Sequence, residues 1–418
     1  MKSKLLYVAA SLGLALASVL SAQAQAQAQP VKFALCYDLS KAYTFISPQV
    51  SQAVRDYAQI LNQKGGIEGH PIEILVQDHG NEPQRGIECY EKMKRDGASV
   101  FDFFSTPVSK AVLPRAMKDG NVMIQAFHGR GDAIDGEVFK WVFPIGPTYW
   151  GQAANDIQYI KTKSNNKLKG VKVAFLYIDY PFGQEPIQVL KTLAVREGFD
   201  LQLFPHPLPG NDQASAWTLM RRFNPDWIIS WNLSNMHVVA SREMKRNGIP
   251  MDKLIAVNWF NEVDLANIGT GTAKGLKRNT NVVGGQGHPL IQQILKELYD
   301  KGKGSGERKH LNDIYYNMGL AIYSSVFEGA RLAIKQYGWP LTPDKTRRGL
   351  ESLRNFDANG LMAPMTMTAK DHGGGGKTRI DMWDGAKWVP QTDWFSAYDD
   401  LVWESVKKDS AEFAKTKP

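Results

Sequence analysis

From Val31 onward, short β-rich runs alternate with longer stretches of helical period, a pattern that predicts parallel sheets covered by helices on both faces. In the first unit, Val31 to Tyr37 reads as a buried strand. Val50 to Asn62 then places Val50, Val54, Tyr57, Ile60 and Leu61 on one helical face, and Lys64-Gly65-Gly66 ends it. Strands are predicted next at Ile72 to Val76, Ser99 to Phe104 and Val122 to Phe127, with Pro83 to Arg95 and Val108 to Met117 as helices between them. A second series begins after Pro144-Ile145-Gly146-Pro147, with strands at Val171 to Ile178, Leu201 to Phe204, Asp226 to Trp231 and Leu254 to Val257. The tail breaks the rhythm. Pro289 to Tyr299, Tyr315 to Tyr337 and Thr346 to Leu353 read as helices, and Arg379 to Trp383 with Lys387 to Val389 reads as a hairpin turned at Asp384-Gly385. The fold class is therefore α/β, with two doubly wound lobes.

A chain of 418 residues suits two such units. Its start stands apart: Lys2 and Lys4 precede an apolar run from Leu5 to Leu20 and small-residue cleavage sites in Ala22 to Ala28, the pattern of a cleaved signal peptide over residues 1–28. No later apolar stretch reaches the ~20 residues of a membrane-spanning helix, so the exported chain is expected to be soluble and not membrane-embedded. Two cysteines exclude a disulfide scaffold. A Cys36–Cys89 bridge stays open, but two free thiols buried as small apolar groups are the favoured reading. Neither cysteine follows the signal run directly, where a lipid-modified cysteine would have to lie.

Several motifs invite chemistry and then withdraw it. Asp371 to Thr378 resembles a phosphate-binding loop, yet the first glycine is replaced by Asp371 and a strand follows rather than a helix, so a mobile surface loop is expected. Gly269-Thr270-Gly271 with Gly275 lacks the preceding strand of a dinucleotide fingerprint. No Gly-x-Ser-x-Gly elbow occurs, and the eight histidines form no i, i+4 pair of a helical zinc protease; His70, His79 and His372 are expected in solvated loops. Arg130-Gly131-Asp132 reads as an ordinary loop after a strand. The excess of 50 basic over 42 acidic residues is dispersed, which argues against a nucleic-acid partner. No metal, cofactor or catalytic residue is predicted.

Ligands of open α/β sheets bind at the carboxyl ends of the strands. There the first lobe offers Tyr43 and Phe45, then Ser105 and Thr106, then Phe127, His128, Gly129 and Arg130. The second lobe offers Asp179, Tyr180 and Phe182, then Trp231, Asn232 and Leu233, then Asn258, Trp259 and Phe260. Singly, Tyr43, Tyr180 or Trp259 could be packed core or isolated surface aromatics. Together, aromatic walls with few polar groups make up a small-molecule pocket.

With Asn62-Gln63-Lys64-Gly65-Gly66-Ile67-Glu68-Gly69, Ser105-Thr106 with Pro114, and Asp179-Tyr180-Pro181-Phe182-Gly183 in this order, the chain resembles the periplasmic solute-binding proteins of the branched-chain amino acid type that serve ABC transporters. The resemblance covers nearly the whole mature chain. It implies a periplasmic monomer with a small-molecule ligand and an ABC permease as partners. It also implies two lobes, 29–145 with 282–356 and 146–281 with 357–418, joined by crossovers near Phe143 to Thr148, Asn279 to Val283 and Asn355 to Leu361. Ser105, Thr106 and the backbone amides of His128 and Gly129 would hold a ligand carboxylate, and Phe182 would stack from the second lobe. Where the amino-acid binders place an acid for the ligand ammonium, this chain has Asn258, with Trp259 beside it. The candidate ligand-binding set is Tyr43, Ser105, Thr106, Phe127, His128, Gly129, Asp179, Phe182, Trp231, Asn258 and Trp259. An unpaired ammonium in a closed pocket is costly, so an amine-free, aromatic carboxylate is expected. Asp179 or Glu262 could still supply the charge for an amino acid. A ligand sensor for a membrane receptor, or an enzyme using Asp179 or Glu262 as acid or base, are the competing classes.

Overall fold

The computed structural model describes residues 28–416, and all but the last residue of the expected signal peptide lies outside them. Two sheets organise the chain. The first contains β1 (Val31–Tyr37), β2 (Ile72–Asp78), β3 (Val100–Asp102), β4 (Val122–Ile124) and β5 (Val142–Phe143), all parallel, in the order β2-β1-β3-β4-β5. The second contains β6 (Lys172–Ile178), β7 (Asp200–His206), β8 (Trp227–Trp231), β9 (Leu254–Ala256), β10 (Lys277–Thr280), β11 (Arg379–Trp383) and β12 (Trp388–Pro390) in the order β12-β11-β10-β9-β8-β6-β7. Its β6 to β10 are parallel, and the β11–β12 hairpin extends the edge antiparallel. Each sheet thus reverses its winding beside its own first strand, β1 or β6, and such a reversal opens a crevice at the carboxyl ends of the strands.

The chain passes from sheet to sheet three times, between β5 and the helix Tyr149–Lys163, between β10 and the helix Pro289–Glu297, and between the helix Pro343–Leu350 and β11. The last two passages pair with each other through a bridge between Val282 and Met362. The 24-residue helix Ile314–Tyr337 anchors the first lobe against Ser47–Gln63. Gly319 permits that packing, since a Cβ there would meet the Val50 carbonyl oxygen at 2.8 Å.

Several expectations from sequence are corrected. Cys36 and Cys89 are joined as a disulfide with 6.1 Å between their Cα atoms, and among the described residues no cysteine is free. Cys36 in β1 and Cys89 on the helix Pro83–Arg95 share one buried cluster, so the layer packing, which no local pattern records, brings them together. His79 and His372 are buried rather than solvated: His79 Nε2 donates to the Phe103 carbonyl at 2.8 Å, and His372 stacks on Phe143 with ring centroids 4.1 Å apart. The glycine run is no mobile surface loop at its start, because His372 Nδ1 donates to the Val142 carbonyl at 2.8 Å and Gly373 and Gly374 are buried beside the crossovers.

Periodicity also misses elements. β10 reads Lys-Arg-Asn-Thr, yet all four residues are buried, with Arg278 paired to Glu262 at 3.2 Å and stacked 4.0 Å over Trp388. The C-terminal helix Asp399–Lys415, which no apolar period announces, spans the lobes. Arg196 of the second lobe bonds Asp400 at 2.8 Å, and Phe413 stacks on Phe139 of the first at 4.6 Å.

Candidate functional site

At the interlobe seam a cavity of about 270 Å³, mouth included, is lined by Tyr43, Phe45, Ile46, Phe104, Ser105, Thr106, His128, Tyr149 and Trp259. Tyr43, Phe45 and Ile46 follow β1, and Phe104, Ser105 and Thr106 follow β3, so the first lobe's share sits at its winding reversal. Beyond Tyr43 and Phe45 the seam widens into an open groove of about 850 Å³ walled by Tyr180, Leu208, Leu233 and Met236.

Local sequence builds the polar floor. Ser105 is extended and caps the helix Thr106–Asp119, its hydroxyl oxygen accepting from the Val108 N–H at 3.5 Å, so the positive end of that helix faces the cavity. The same hydroxyl donates to Asn81 Oδ1 at 2.7 Å. His128 Nδ1 donates to the Ala126 carbonyl at 2.7 Å, and Ser109 Oγ lies 3.4 Å from Nε2. Burial pushes the His128 imidazole down to about 4, so it is neutral at physiological pH. Phe104 and Phe127 hold positive φ of 47° and 59° at the ends of β3 and β4, a strained conformation that surrounding structure must impose.

The second lobe contributes Tyr149 and Trp259. Trp259 Nε1 donates to the Tyr149 hydroxyl at 2.7 Å, and the indole reaches into the first lobe, 5.7 Å from the Phe104 ring and 6.4 Å from that of Tyr315. Burial raises the Tyr149 phenol well above its ordinary value, so it stays a neutral hydrogen-bonding group. The nine lining residues carry no formal charge once His128 is neutral.

Of the residues expected from sequence, Tyr43, Phe45, Ser105, Thr106, His128 and Trp259 meet in this cavity. Phe182 and Trp231 stand behind it, packed edge-on against Tyr149 at 5.3 and 5.6 Å. Phe127 packs its ring against Gly146, and Gly129 lies against Glu185. Asp179 is exposed and accepts from Gln184 Nε2 at 2.7 Å. Asn258 is buried outside the lining, with both ends of its amide unpartnered. Ile46, Phe104 and Tyr149 were missed. Phe104 reads locally as the last residue of a buried strand, whereas Tyr149 opens a helix on the other lobe and only lobe packing brings it here.

Three polar contacts close the seam around the site. Lys110 on Thr106–Asp119 pairs with Glu185 of the second lobe. Asn261 Nδ2 donates to Asp313 Oδ2 at 2.9 Å, and the Ile314 N–H donates to Glu262 Oε2 at 3.2 Å. Glu262 is also engaged by Arg278 at 3.2 Å, so neither it nor Asp179 faces the cavity with a free charge. Among the described residues no helix is long and apolar enough to cross a membrane, and no group of acids, histidines and cysteines could hold a metal.

Comparison with known proteins places this geometry. A family model described as periplasmic binding protein matches residues 30–387. A protein from the Pseudomonas fluorescens group, described as an ABC transporter permease, is similar at 32% identity over 93% of this chain and 98% of its own, with a TM-score of 0.86. A branched-chain amino acid ABC transporter protein from Thermus thermophilus, solved with valine, aligns at 18% identity over 90% of this chain and 99% of its own, with a TM-score of 0.78. A solute-binding protein from R. palustris, solved with benzoate, aligns at 16% identity over 88% and 98%, with a TM-score of 0.68. No curated protein sequence matches the chain.

Proposed function

We propose, from the premise that this chain belongs to the periplasmic binding protein family, that it captures a small amine-free carboxylate, aromatic in the favoured case, for an ABC importer. The observation that carries this reading is the uncharged, aromatic lining around a helix N-terminus. The Thr106–Asp119 dipole and the Thr106 hydroxyl suit one carboxylate, which the Ser105 hydroxyl can join by turning away from Asn81 Oδ1, and Tyr43, Phe45, Phe104, Tyr149 and Trp259 offer faces and edges to a flat ring. An ammonium in the same space would meet no carboxylate among the lining residues and would remain unpaired, at a cost of several kcal/mol. Similar folds hold valine in one protein and benzoate in another, so the fold accommodates both chemistries and the lining decides between them.

The mechanism is capture by closure. Ligand bridging Ser105 and Thr106 on one lobe to Tyr149 and Trp259 on the other favours the closed form, and the permease reads that form. In this reading the mature monomer works in the periplasm, with lobes of residues 29–145 with 282–356 and 146–281 with 357–418. Binding and release need no covalent step. The test is calorimetry of the mature chain with benzoate, phenylacetate, leucine and valine. Saturable binding of the aromatic acids with none for the amino acids is expected, and tight binding of leucine or valine instead would overturn the reading.

A further inference from the structure

We propose that Lys110 and Glu185 form a specificity lock, in which the lysine ammonium takes the place at Glu185 that the ammonium of an amino-acid ligand would need. This rests on the amine-free reading above and names what enforces it.

Glu185 follows the short helix Pro181–Gln184 and reaches across to the first lobe. It packs on Gly129, the neighbour of cavity-lining His128, so closely that a Cβ on that glycine would lie 2.7 Å from Glu185 Oε2. Its charge also acts on the Tyr149 phenol in the cavity wall. The other acids near the strand ends are turned elsewhere. Asp38 accepts from the backbone N–H groups of Ser40, Lys41 and Tyr43, Asp179 faces solvent, and Glu262 is held by Arg278. Asp102, buried at the end of β3, is taken up by the Phe104 N–H at 3.1 Å and by the Tyr37 and Tyr323 hydroxyls at 2.7 and 3.3 Å, which leaves Glu185 as a carboxylate at the cavity margin that a ligand cation could recruit.

Lys110 forestalls this. It stands on the helix whose first residue, Thr106, lines the cavity, and its side chain is 38% exposed whereas that of Glu185 is 5% exposed. A carboxylate so buried requires a counter-charge. With Lys110 in place the pair is neutral, and an arriving ammonium meets a like charge and no free acceptor. Without Lys110 the carboxylate is left uncompensated in the closed form, and a ligand ammonium becomes the group that restores the balance.

The test uses two ligand pairs that differ only in the amine, phenylacetate against L-phenylglycine and 3-methylbutanoate against L-valine, titrated calorimetrically into the mature chain. The wild type should favour the amine-free members. A charge-assisted hydrogen bond corresponds to about tenfold or more in affinity, so Lys110→Met should move each ratio toward the amine by about that factor. Lys110→Met with Glu185→Gln should cancel the gain. Melting temperatures check that the variants fold, and Lys110→Gln replaces the methionine variant if it does not. Ratios unchanged in Lys110→Met while the acids still bind overturn the lock and leave the carboxylate reading standing. A wild type that prefers the amines, or binds no member of either pair, overturns both.

Discussion

Trp259 is a second-lobe side chain in the cavity wall, and replacing it by leucine should weaken ligand binding about thirtyfold. The indole makes ring contacts to Phe104 and Tyr315 across the seam and donates to Tyr149 at 2.7 Å. Aromatic pairs contribute about 0.5–1.5 kcal/mol each beyond their buried area. For the two pairs the sum is about 2 kcal/mol, or roughly one and a half decades in Kd. The two ring contacts cross the lobes, whereas the bond to Tyr149 lies within the second, so the loss of the ring contacts falls on the closed, ligand-bound form. Calorimetry with phenylacetate should show the weakened binding, while the melting temperature of the ligand-free variant stays within a few degrees of wild type. An affinity within threefold of wild type would refute the assignment of Trp259 as a cavity wall. A ligand-free variant that melts far lower would show the indole to be a core residue of one lobe.

Two further outcomes follow from burial and connectivity. The Cys36–Cys89 bridge closes a loop of 53 residues, for which the chain-entropy account gives about 4 kcal/mol; replacing both cysteines by alanine should lower the denaturant midpoint accordingly, and an unchanged midpoint would refute that account here. Burial, reinforced for Asp313 by the charge of Glu262, pushes the Asp264 and Asp313 carboxyls up to about 7, with Arg278 the cation in the cluster. Because these folded-state values stand above the unfolded ones near ~4, the folded form binds the protons more tightly. Their contribution is fully present below about pH 4 and is lost as pH rises through about 7. Thermal stability should therefore gain from these groups as pH falls from about 8 to about 5, and Asp313→Asn should flatten that slope; an equal slope in the variant would remove Asp313 from the account.

The alternation of strands and helices was legible because it rests on short-range chemistry: Val31–Tyr37 is apolar but for Lys32, and Ser105 caps the helix it precedes. That same local logic placed Tyr43, Ser105, Thr106, His128 and Trp259 at strand ends, where a sheet reversal opens a crevice. It failed where residues far apart in the chain decide the outcome. β10 is polar in sequence, and its burial is intelligible only beside Glu262, Asp381 and Asp156. Asn258 and Trp259 are adjacent in the bend that follows β9, and only Trp259 lines the cavity, so the residue that faces it is set by how the second lobe meets the first. The Cys36–Cys89 bridge, the arrival of Tyr149 at the site and the Lys110–Glu185 pair have the same origin. By itself the sequence determined the two α/β lobes and the strand ends that face each other. Tertiary structure alone decided which side chains line the cavity and which charges are already neutralised, because both depend on distances between segments that no local period encodes.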